Sequence, residues 1–77
     1  MNAAFPIGLE VPGACRPLRI VNRREIGEEE ADANLFDDSY DGDFTSPGLH
    51  YQLIPVAGGT PGWWLHQDVA QALQRAA

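Results

Sequence analysis

Apolar and polar residues alternate most regularly in GLHYQLIPV, residues 48–56, where Leu49, Tyr51 and Leu53 fall on one side and His50, Gln52 and Ile54 on the other. A period of two in β-branched and aromatic residues predicts a strand. Pro55 has no backbone donor to give, which places it at an edge or a bulge near the end of that strand. The next residues, AGGTPG, are those that reach φ > 0 or fix φ, and they predict a turn. WWLH, residues 63–66, then returns as the second arm of a hairpin. Upstream, FPIGLEV and PLRIVN read as two short strands parted by a turn, with Leu18 and Ile20 marking the apolar side of the second. The period changes near the C-terminus. In QDVAQALQRAA, Val69, Ala72, Leu73 and Ala76 form one stripe at helical spacing, with Asp68 in the first turn and Arg75 in the last, as the helix dipole favours. The intervening GEEEADANLF has helix-forming residues and acids suited to a helix start. Its larger apolar residues, Leu35 and Phe36, come only at its end, so a short helical turn and an irregular loop both remain open.

These elements predict one domain over residues 1–77 of mostly β (α+β) class: a small, bent antiparallel sheet with a short C-terminal helix and an acidic loop insertion at about 28–47. Seventy-seven residues bury a modest fraction of their surface, so such a fold is marginally stable alone. A disulfide cannot reinforce it within the chain, because Cys15 is the single cysteine, a usage that suits a reducing compartment. The opening MNAAFPIGLEV has no basic start followed by an apolar run, and no segment approaches the roughly 20 apolar residues of a membrane span. A soluble, cytoplasmic protein is expected.

Charge narrows the partners. Eleven acidic residues face five arginines and no lysine, for a net charge of −6. Binding to nucleic-acid phosphates or anionic lipid depends on Lys and Arg, so neither direct nucleic-acid nor membrane binding is expected. A negative surface is drawn to basic ones, which proteins that handle nucleic acid commonly present. Eight of the acids lie between Glu28 and Asp43 with no basic residue among them, and such a block usually extends and stays solvated.

FPIGLEV resembles the opening strand of small bacterial and phage SH3-like β-barrel domains, and GLHYQLIPVAGGTPGWWLHQDV is similar to their closing hairpin. The likeness covers the two ends of the chain, and the acidic insertion and the terminal helix depart from it. What it implies is an SH3-like bent sheet that serves as a binding module.

Several clusters invite chemistry. DDSYDGDFTSPG, residues 37–48, approximates a calcium loop, with Asp37, Ser39, Asp41, Gly42, Asp43 and Thr45 at positions one, three, five, six, seven and nine. Gly48 stands where the bidentate glutamate belongs and Pro47 would block the exiting helix, so the plainer reading is a solvated, turn-rich loop. Phe36, Tyr40 and Phe44 recur every four residues through the acids, either along one face or as anchors of the loop into the core. Trp63 and Trp64 are consecutive in a strand and must face opposite sides, which leaves one for the core and the other at the surface or under the acidic loop. His50 and His66 fall on neighbouring strands of the predicted hairpin. Two ligands do not make a zinc site, and Cys15 is expected to be a small buried apolar residue rather than a third. Arg16, Arg19, Arg23 and Arg24 are expected to pair with Glu25 and the Glu28–Glu30 run. No P-loop, dinucleotide fingerprint, nucleophile elbow or zinc-protease motif is present in the sequence.

The expected function is therefore non-enzymatic and needs no cofactor: an acidic module that binds a protein with a basic surface and modulates or inhibits it, by imitating nucleic acid where the partner is a nucleic-acid-binding enzyme. The expected contacts are Trp63 or Trp64 as anchor, with Asp37, Asp38, Tyr40, Asp41 and Asp43 facing the partner. An accessory subunit of a larger assembly and a weak calcium module are the alternatives.

Overall fold

The structure, a computed structural model, describes residues 4–13 and 15–76. Four strands form one antiparallel sheet: β1 (Glu10–Pro12), β2 (Pro17–Ile26), β3 (Gly48–Pro55) and β4 (Gly62–Leu65). They lie side by side in sequence order, so β1 and β4 are its edges and the sheet is open. Two helices complete the fold, α1 (Glu28–Leu35) between β2 and β3, and α2 (His66–Ala76) directly after β4. All four predicted strands and the C-terminal helix are present. The first strand is shorter than FPIGLEV, although Gly8 N–H still donates to the Ile20 carbonyl (2.7 Å) and Ile20 N–H to that of Leu9 (2.9 Å).

Alternation in β3 divides the sheet as the pattern requires. Tyr51 and Leu53 are buried on one face, where Leu53 opposes Ile20 and Tyr51 opposes Trp64. The amphipathic stripe of α2 covers this face with Val69 and Ala72, and Val11 of β1 completes the cluster, with Phe5, Leu9 and Leu73 packed around it. The residues from Val56 to Pro61 turn β3 back into β4, and Gly58 and Gly59 take φ of 98° and 146°, values that side chains with a Cβ rarely adopt. His66 opens α2 and is not part of the last strand, since the chain turns helical straight after Leu65.

The other face is clothed only at one end. A register shift between Ile20 and Asn22 inserts one residue into β2, which reverses the side to which later residues point. Arg24 consequently opposes His50, and Ile26 lands opposite Gly48. Ile26 and Ala31 of α1 are both buried there. The first eight residues of the predicted acidic loop are thus a two-turn helix. The result is a slab with extents of 36 × 31 × 19 Å and a radius of gyration of 13.2 Å, against about 11.5 Å for a compact chain of this length.

Candidate functional site

The acidic segment is mounted at the end of the sheet where β2 finishes and β3 begins. Gly27 is the N-cap of α1 and offers it no side-chain hydrogen bond, so this helix is held by the buried Ala31, by the Asn34 side chain bonding the loop that follows, and by one ion pair, Arg24 Nη2 to Glu30 Oε2 at 2.8 Å. Both partners are about half exposed, and such a pair contributes less than about 1 kcal/mol. Glu28, Glu29 and Asp32 are left to solvent.

Past the helix the chain builds itself around two aromatic residues. Asn34 Nδ2 donates to the Phe44 carbonyl at 2.8 Å, and Phe44 N–H donates to the Tyr40 hydroxyl at 3.1 Å. The Phe44 ring stands edge-on to His50 (5.3 Å between centroids) and to Trp63 (4.9 Å), with the Arg24 guanidinium 4.9 Å from its centroid. A Cβ on Gly42 would run into the Tyr40 ring, so the glycine that the calcium pattern singles out makes room for a side chain. Phe44 and Tyr40 therefore anchor the loop, whereas Phe36 is 80% exposed and Leu35 58%. Sequence spacing had grouped the three aromatics. The signal that separates Phe36 from the others is that α1 has no apolar stripe on which a residue at its C-terminus could fold back.

Asp37, Asp38, Asp41 and Asp43 are all exposed, while Tyr40 is half-buried. The Asp37 carboxylate accepts the Ser39 hydroxyl at 2.7 Å and the Ser39 backbone N–H at 3.0 Å. These bonds, the hydroxyl's first, hold its carboxyl below the ordinary aspartate value. Among the described residues no three of the His, Cys, Asp and Glu side chains converge to hold a metal ion.

The tryptophans divide between the faces. Trp64 packs on the core, and Trp63 lies on the His50 side against Phe44, so it alone shares a side with the loop's anchor. Both are half-buried. His50 and His66 are on opposite sides of the sheet. His50 is 2% exposed, with Nδ1 3.1 Å from the Gly48 carbonyl oxygen and Nε2 without a partner. His66 stacks on Phe5 (4.7 Å) and bonds the Tyr51 hydroxyl at 2.8 Å. Cys15, expected inside, is exposed, because it sits in the connection closed by Gly13 N–H donating to the Arg16 carbonyl (3.1 Å). Among the described residues Arg24–Glu30 is the one ion pair; Arg23 donates instead to the Phe5 carbonyl at 3.2 Å, and Arg16 and Arg19 are exposed. The expected pairing of the arginines with the acidic run is therefore realised once.

No helix is long and apolar enough to cross a membrane among the described residues. No family model, curated protein or solved structure matches this chain.

Proposed function

We propose that this protein is a non-enzymatic, cytoplasmic binding module on a bent sheet of the SH3-like kind, and that the end bearing α1 and the loop after it docks on a basic protein surface. The observation that carries the reading is the company of charges and apolar groups there. Of eight carboxylates between Glu28 and Asp43 only that of Glu30 is neutralised by an arginine, and Leu35 and Phe36 project beside them. An exposed aromatic amid carboxylates combines an anchor with electrostatic steering, which raises association rates and suppresses wrong partners. Where the partner's basic surface is a groove for nucleic acid, occupation of it inhibits by competition. Phe36, far more exposed than Trp63 or Trp64, is an anchor in addition to them.

The test is retention of partners from source-cell extract at low and high salt. Asp37, Asp38, Asp41 and Asp43 changed together to Asn should weaken capture of a salt-sensitive partner by about tenfold or more and flatten its salt dependence. Unchanged affinity in that variant would sink the electrostatic reading. Retention that resists salt and is lost with Phe36→Ala would favour the second reading, a subunit of a larger assembly, which the exposed Leu35–Phe36 pair also suits.

A further inference from the structure

Trp64 lines three adjoining clefts of ≈ 320, 390 and 520 Å³. The largest is walled by Leu18, Pro55 and Thr60 and bordered by Arg16; another runs between Pro12 and the end of α2 at Ala72 and Arg75. Strand register puts Leu18 and Pro55 together at the end of the sheet remote from Ile26 and Gly48, hence remote from the acidic segment. The third cleft, between β4 and Arg75, is mainly polar, holds Asp68 and reaches Trp63 beside Phe44 of the acidic loop, so the apolar groove consists of the first two alone, along the edge strand β1.

Two features of this groove point to an occupant. The floor of these two clefts is mainly apolar, with a half-buried tryptophan at the centre, the residue type on which binding energy most often concentrates. Its ends carry Arg16 and Arg75, both exposed, and among the described residues neither forms an ion pair. In a chain of net charge −6 with five cations in all, two arginines outside any ion pair border one apolar strip, and Asp68 is the carboxylate in the cleft next to Arg75, so the border of the strip is more positive than the molecule as a whole. We propose that this groove docks an extended protein segment in which an apolar side chain, seated on Trp64, is flanked by carboxylates that meet Arg16 and Arg75. An extended chain suits a shallow channel beside an edge strand, and guanidinium groups bind carboxylates through charge-assisted hydrogen bonds. This surface is separate from the acidic end and takes a partner of the opposite charge.

Selection from a library of random linear peptides on the immobilised protein tests it. Enriched peptides should pair apolar residues with Asp or Glu, quench or shift tryptophan fluorescence, and lose about tenfold or more in affinity in the Arg16→Glu/Arg75→Glu variant. The aspartate-to-asparagine variant of the acidic end should bind them unchanged. A milder Arg16→Gln/Arg75→Gln protein, with the native circular dichroism, should show an intermediate loss, which separates recognition from misfolding. Enrichment of basic peptides only, indifference to the arginines, or no enrichment would overturn the proposal. So would concentration-dependent self-association that the arginine variants abolish, since the occupant would then be a second copy of this chain.

Discussion

The Tyr51 hydroxyl joins three parts of the chain that are distant in sequence: it accepts the Phe5 backbone N–H at 3.1 Å and lies 2.8 Å from His66 Nδ1, while its residue is fully buried on β3. Tyr51→Phe keeps the ring and removes both bonds. It should cost about 1–3 kcal/mol, read as a lower urea midpoint at unchanged slope; an unaltered midpoint would show that the hydroxyl does not tie the N-terminal segment to α2. Asp37 offers a second measurement at this scale. Its folded carboxyl is held below the ordinary aspartate value by Ser39, so the turn is favoured above the unfolded value and that favour is lost as pH falls through the lower, folded one. A carboxyl-carbon NMR titration should find Asp37 titrating at lower pH than it does in Ser39→Ala, which keeps the backbone N–H, and identical curves would remove the Ser39 hydroxyl as the main cause.

The two helices are stabilised by different means. α2 has an apolar stripe and buries Val69 and Ala72, so its stability is tertiary. α1 has eight residues, a single buried side chain, no side-chain N-cap and no basic residue in its last turn, and helices that short are marginal alone. Gly27, its N-cap, has extended backbone angles (φ −76°, ψ 163°), and a Cβ there would meet nothing within 4 Å. Gly27→Ser would supply the missing cap with Glu30 three residues on, and reduce the freedom of the unfolded chain. A gain of about 0.5–1 kcal/mol is expected, seen as slower amide exchange in Ala31–Leu35; exchange as fast as in the parent would mean that the end of α1, not its start, limits its stability.

At the level of the whole molecule, the acidic run and the two arginines of the groove lie towards different ends of the sheet. The acids from Glu28 to Asp43 follow the Ile26–Gly48 end, and Arg16 and Arg75 stand by the Trp64 groove towards the other. Two proposals rest on this separation, and they fail independently. Neutralising the four loop aspartates should weaken capture of a basic partner by about tenfold or more and spare acidic peptides, while reversing the two arginines should do the opposite. A variant that lost both activities would indicate one shared surface. Independence is expected because exposed charges farther apart than about 10 Å at ordinary salt are largely screened from each other.

The strands, the C-terminal helix and the partition of Leu49, Tyr51 and Leu53 from His50 and Gln52 were legible in the sequence alone. Each depends on a local period, and burial of one face enforces it. The opposite placement of Trp63 and Trp64 followed from the same rule. Tertiary structure decided the rest. The inserted residue in β2 has no local signature, yet it sets which side Arg24 and Ile26 occupy and so where α1 can settle. Phe44, Tyr40 and Phe36 share one spacing in the sequence; the missing apolar stripe of α1 hints that Phe36 is left in water, but His50 and Trp63 beside the loop are what select Phe44 for packing. The groove at Trp64 joins residues from both hairpins and α2, a juxtaposition that no stretch of chain carries by itself. Sequence alone determined the four strands and the C-terminal helix, because their periods are a matter of neighbours a few residues apart, whereas α1, which has no such period, was left open. Which charges and aromatics share a surface depended on how those segments pack.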